Sequence, residues 1–108
     1  MNRGDEMRET IAVLFLCMLI PFTTGCGSVY YTVSINAAQT RLEQARELGA
    51  ETKAPFEYYY AREHLRQAQV EAAEASYSDA ASMAETAETY AQKAIDRIQT
   101  ARKAESAK

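Results

Sequence analysis

After a continuous apolar stretch from Ile11 to Phe22, apolar residues recur along this chain at helical spacing. Ile35, Ala38, Leu42, Ala45 and Leu48 follow at intervals of three and four, which defines one face of a helix from Ser34 to about Leu48. Ser34 suits its N-cap and Gly49 its stop. Residues 27–33, which end in Val-Tyr-Tyr-Thr-Val, read as an extended tether rather than a helix. Beyond a polar linker, Glu51-Thr52-Lys53, Pro55 fits the first turn of a second helix spanning about Ala54 to Ala75. Ser76 with Asp79 three residues on has the form of a capping box, and a third helix then runs to about Lys103. Residues 105–108 are expected to fray.

The last two helices carry matching stripes. Tyr58, Ala61, Leu65, Ala68 and Ala72 are spaced 3-4-3-4, and Ala80, Ala84, Ala87, Ala91 and Ala94 are spaced 4-3-4-3. Folding the chain at Ser76–Ser78 brings the stripes together antiparallel: Ala72 opposite Ala80, Ala68 opposite Ala84, Leu65 opposite Ala87, Ala61 opposite Ala91 and Tyr58 opposite Ala94. Large residues then face small ones, which fills a seam without voids. Gln69 and Glu85 face away from it. The expected fold is all-α: an antiparallel helical hairpin with a shorter preceding helix, together a small three-helix bundle over residues 34–104.

The start of the chain changes where this bundle is expected to live. A short apolar run ending in small residues has the form of a secretory signal. Thr23-Thr24-Gly25-Cys26 resembles the lipobox of bacterial lipoproteins, although Thr23 stands where Leu is usual. That resemblance implies removal of residues 1–25 and lipid attachment at Cys26, with residues 26–33 as the lipidated tether. Asp5, Glu6 and Glu9 outnumber Arg3 and Arg8, so translation from Met7 would leave a more ordinary leader. The alternative, an uncleaved anchor, has only about 12 apolar residues where a span needs about 20. Tyr30 and Tyr31, next to the lipid, suit either a membrane interface or the cap of the bundle. Gly27 and Ser28 include no aspartate, which in enteric-type sorting resembles an outer-membrane destination facing the periplasm, with the inner membrane the other possibility.

Composition narrows the chemistry. Residues 26–108 hold ten basic and twelve acidic side chains with interspersed signs, which disfavours nucleic acid. Cys17 leaves with the signal and Cys26 takes the lipid, so no disulfide is expected.

Within the hairpin, Tyr60-Ala61-Arg62-Glu63-His64-Leu65-Arg66-Gln67-Ala68, Glu71-Ala72-Ala73 and Tyr77-Ser78-Asp79-Ala80-Ala81, with alanines at 84, 87, 91 and 94, resemble the domain of unknown function 4398 family. The resemblance covers about Pro55 to Ala94. It implies a short, alanine-rich helical envelope protein of Gram-negative bacteria, a class whose members often begin with a lipobox and to which no chemistry is assigned. Some members also carry a peptidoglycan-binding domain of the outer-membrane-protein-A type. The Tyr-x-x-Ala at Tyr77 to Ala80 is similar to a tetratricopeptide turn, with Glu71 and Ala84 where larger residues are usual.

No nucleophile with its base, glycine-rich phosphate loop or metal-ligand set stands out, so neither catalysis nor a cofactor is expected. His64, with Glu57, Glu63 and Glu71 nearby, reads as a surface histidine. Glu43 with Glu47 and Glu71 with Glu74 read as surface charge. Phe56, Tyr58, Tyr59 and Tyr60 cannot all enter one core, because successive helical residues point about 100° apart. Tyr58 belongs to the seam, and Phe56 is expected against Ile95 or Ile98. Tyr59 and Tyr60 are left to pack under the first helix or to bind a partner, and Met83 and Tyr90 form a second flank with the same two options. The function expected from all this is a lipid-anchored helical adaptor or spacer. Its partners would be the membrane, through Cys26, and an envelope protein or a second copy. The alternative is a tether resembling the major murein lipoprotein, attached to peptidoglycan through Lys108.

Overall fold

Five helices make up the computed structural model, which describes residues 3–19 and 26–108. They are α1 (Arg3–Leu19), α2 (Cys26–Glu47), the single turn α3 (Ala50–Lys53), α4 (Pro55–Ala73) and α5 (Tyr77–Ser106). The proposed cleavage segment, Thr23 to Gly25, lies outside the described residues. In α1 every side chain from Arg3 to Met18 is exposed. Among the described residues no helix is long and apolar enough to cross a membrane.

The seam forms as the spacing dictates. Tyr58, Ala61, Leu65 and Ala68 of α4 are buried, as are Ala80, Ala84, Ala87, Ala91 and Ala94 of α5, while Ala72 at the tip is half-buried. Leu65 and Ala68 share one core cluster with Ala84 and Ala87, and Tyr58 shares the other with Ala94, as the antiparallel register requires. Helix α2 completes the bundle. Its Ile35 and Ala38 join the first of these clusters, Ala45 joins the second, and Leu42 packs against both. It lies chiefly along α5 and touches α4 much less. Gly27 at its start approaches Tyr77 at the start of α5, so a Cβ on Gly27 would lie 3.6 Å from that of Tyr77. Helices α2 and α5 are therefore parallel, and α4 runs antiparallel to α5 along another side of it.

Four local expectations are corrected. Residues 26–33 are helical, not extended, and α2 begins at Cys26. β-Branched and aromatic residues disfavour helix by well under 1 kcal/mol each, and packing overrides that. Tyr31 supplies it, lying against the cluster of Ile35, Ala38, Leu65, Ala68, Ala84 and Ala87 (the upper core cluster) with its ring centroid 6.1 Å from that of Tyr77. Ser34 is consequently not a cap but a buried residue inside α2. The linker at residues 51–53 is a helical turn because Ala50 and Ala54 are both fully buried beside Tyr58, Ile95 and Ile98. Gly49, at φ 82°, makes the left-handed corner before it, and the Lys53 N–H reaches the Gly49 carbonyl at 3.0 Å. Ser76 forms no side-chain cap, so the capping box is absent. Ala75 instead turns the chain at φ 62°, and the Ser76 N–H donates to the Glu71 carbonyl at 2.9 Å.

Helix α5 also outlasts the bundle. Ile98 is its last buried residue, and the helix continues to Ser106 with every side chain from Gln99 exposed. Glu105 and Ser106, expected to fray, form the last residues of α5, and only residues 107–108 lie beyond it.

Candidate functional site

Helical periodicity places Phe56, Tyr60 and His64 at i, i+4 and i+8, one above another on the flank of α4. Phe56 does not pack on Ile95 or Ile98, as its neighbours had suggested. It is 64% exposed, and its ring centroid lies 5.6 Å from that of Tyr60 and 6.3 Å from that of Tyr90. Ile95 and Ile98 are instead filled by Tyr58 and the alanines at 45, 50 and 54. Helix α5 contributes Tyr90, whose ring stands 4.2 Å from that of Tyr60. His64 also stacks on Tyr60, with ring centroids 4.2 Å apart. Its Nδ1 lies 3.0 Å from the Tyr60 carbonyl oxygen, which accepts when that nitrogen carries a proton. Lys93 lies 4.4 Å over the Tyr90 ring and supplies a cation at the edge of the group.

Of the residues singled out by sequence, Tyr60 and Tyr90 come together and the others do not join them. Tyr59 is exposed on another face, edge-on to Tyr58 at 5.2 Å, with the Arg62 guanidinium 4.8 Å over its ring. Neither Tyr59 nor Tyr60 packs beneath α2. Met83 is half-buried against the upper core cluster, so it serves packing and not a flank. Phe56 and His64 are members that sequence reasoning placed elsewhere. The four-residue spacing through Tyr60 was the available signal.

Beside the aromatic group, Arg97 of α5 donates to Glu57 of α4 at 2.7 Å. Burial pushes the Glu57 carboxyl up. The Arg97 hydrogen bond, a backbone N–H and the charges of Arg97 and Lys93 outweigh it, leaving the group below the usual carboxylate range. The Tyr58 phenol donates to Glu51 at 3.2 Å, and burial together with that carboxylate pushes it above its ordinary range. Glu85, expected to face away from the core, is exposed but accepts a hydrogen bond from Tyr30. Among the described residues no three His, Cys, Asp or Glu side chains converge as metal ligands.

Cys26 is a free, exposed thiol at the first position of α2. It marks the end of the bundle where α4 turns into α5. Lys108 lies past the opposite end, beyond the unpacked part of α5.

No curated protein and no solved structure matches this chain. Residues 33–108 match a family described as a domain of unknown function. That span takes in all of α3, α4 and α5 and most of α2, a wider stretch than the hairpin motifs that carried the resemblance. The chain therefore belongs to the DUF4398 family.

Proposed function

We propose that this chain is a lipid-anchored envelope protein, held to the outer membrane through Cys26 and facing the periplasm, that acts as a helical adaptor by binding rather than by chemistry. The observation that carries the reading is the aromatic group of Phe56, Tyr60 and Tyr90 on the flank formed by α4 and α5, in which Phe56 and Tyr60 are exposed and Tyr90 is half-buried. Exposed aromatic rings clustered beside a cation are the kind of surface from which binding hot spots are made. Tyr90 lies thirteen residues along α5 from Tyr77, about 20 Å from the Cys26 end at 1.5 Å per residue. The group would thus stand clear of a membrane that holds Cys26.

Two measurements test the reading. Cys26→Ser should abolish incorporation of labelled palmitate and leave the precursor uncut, and uptake by the variant would defeat the lipid anchor. Tyr60→Ala with Tyr90→Ala should sharply lower crosslinking to other envelope proteins while the helix content stays the same. Crosslinking unchanged by the pair would remove the basis for an adaptor. A second reading, a peptidoglycan-linked tether through Lys108, is favoured by the placement of Lys108 and Cys26 at opposite ends of the rod. Deletion of Lys108 would then release the protein from purified sacculi.

A further inference from the structure

Outside α1, the exposed large apolar side chains fall into two groups. One is Phe56, Tyr59 and Tyr60 near the start of α4. The other is Val29, Tyr30, Val33, Val70 and Tyr77, and all five sit at the end of the bundle that carries Cys26. Val33 is seven residues along α2 from Cys26, about 10 Å. Val70 is three residues from the end of α4, and Tyr77 opens α5. Monomeric proteins scatter exposed apolar residues singly, so a collar of five around one end calls for an occupant.

Charge says which. Residues 26–40, the first four turns of α2, carry no charged side chain, whereas charges crowd the outer faces of α4 and α5 above this end. Residues 67–82, which complete the end, hold no Lys or Arg. Their charges are three carboxylates, Glu71, Glu74 and Asp79, so anionic lipid has nothing to attract it and a zwitterionic surface fits better.

We propose that this collar seats in the headgroup layer of the membrane, so that the bundle stands upright on its Cys26 end with α4 and α5 projecting away. The inference rests on the lipid anchor at Cys26 and adds the protein's own contact with the bilayer. A collar about 10 Å tall matches the 5–10 Å depth to which apolar faces enter the headgroup and acyl boundary. Tyrosine is enriched at that level because its ring is apolar and its hydroxyl polar. Tyr30 has the matching orientation: it starts one turn from Cys26 and its hydroxyl donates to Glu85, farther from the membrane. A second copy is the other occupant such a surface could take, and the test separates the two.

The chain has no tryptophan, so a single Tyr→Trp change gives one clean reporter. Tyr30→Trp, Tyr77→Trp and Tyr90→Trp proteins, purified full-length with their native processing, would be reconstituted in phosphatidylcholine vesicles brominated on the acyl chains. Val29→Trp serves as a second reporter at the same end that leaves the contact between Tyr30 and Glu85 intact. The expected result is at least twofold quenching for Tyr30→Trp, Tyr77→Trp and Val29→Trp, and almost none for Tyr90→Trp. Equal quenching at all four would mean that the bundle lies flat, which overturns the upright seating. Acylated protein with no quenching at the collar would overturn the inference alone. If those reporters were also blue-shifted, a second copy would be the occupant. An intact mass without acyl chains would remove the lipid anchor and this inference together.

Discussion

Arg97 on α5 reaches back across the hairpin to Glu57 on α4, 2.7 Å away, and among the described residues this is the one salt bridge that joins two helices. The pairs Arg46–Glu43 and Arg66–Glu63 each close within a single helix. The interhelical pair is asymmetric. Arg97 stays 62% exposed while the Glu57 side chain is 15% exposed, and the second carboxylate oxygen is buried without a partner. Burying that oxygen offsets part of what the guanidinium contributes. The pair lies beside Phe56, Tyr60 and Tyr90 and fixes α4 and α5 relative to each other just where the aromatic group spans them.

Acid should therefore loosen this end of the hairpin. The folded carboxyl of Glu57 lies below its unfolded value, so its contribution is present above about pH 4.3 and is lost as pH falls through the folded pKa. Glu57→Gln should cost about 0.5–1 kcal/mol at pH 7, solvent screening of Arg97 keeping the figure small. The variant should also lose less stability than wild type between pH 5 and 3. Thermal melts across that range check it, and parallel curves would assign the acid sensitivity to other carboxylates.

Alkali should act through Tyr58. Its phenol is raised above 10 by burial and by Glu51, so the neutral form is the one that the fold favours. The stability this contributes is complete below about pH 10 and is lost as pH rises through the folded pKa. Tyr58→Phe removes the ionisation and should flatten the fall in melting temperature above pH 10. At neutral pH it should cost about 1 kcal/mol for the hydrogen bond to Glu51. A wild-type melting temperature that does not fall above pH 10 would contradict the assignment.

Overpacking should hurt only inside the seam. Ala68 and Ala84 are fully buried, with no room for three further carbons. Ala68→Leu or Ala84→Leu should each destabilise by about 1–3 kcal/mol. Gln69→Leu, on the exposed face of α4, should stay within about 0.5 kcal/mol. Glu85→Leu is not a neutral control, because it would also remove the acceptor of Tyr30. Urea melts giving equal shifts at 68, 69 and 84 would rule out the register.

The two corners should respond in opposite senses. Gly49 at φ 82° and Ala75 at φ 62° both occupy left-handed backbone, where a Cβ costs about 1–2 kcal/mol. Gly49→Ala should lower stability by about 1 kcal/mol. Ala75→Gly should raise it slightly or leave it unchanged, since relief of strain is offset by the greater freedom of the unfolded chain. Destabilisation by Ala75→Gly beyond 1 kcal/mol would show that the Ala75 methyl has a packing role.

Much of this architecture was legible because it depends on period. Alanines at intervals of three and four determine which faces of α4 and α5 meet and in what order, since a shift of one residue would turn every small side chain away from the seam. Pro55 marks the start of α4 and Gly49 the corner between α2 and α3 for equally local reasons: one lacks an N–H and the other tolerates positive φ. The aromatic group was only half legible. Spacing puts Phe56, Tyr60 and His64 on one stripe, but whether that stripe is buried depends on where α2 lies.

Local sequence therefore determined the helical class, the hairpin register and the family to which the chain belongs, because each follows from short-range periodicity along one strip of helix. Tertiary structure decided the rest. Val-Tyr-Tyr-Thr-Val became the start of α2 because Tyr31 found Tyr77 and the upper core, and that packing outweighs a small local preference. Because α2 lies along α5 and only lightly against α4, Tyr60 stays exposed and meets the half-buried Tyr90. Residues 30 positions apart can come into contact only when two helices are packed side by side, and no periodicity within either helix encodes that.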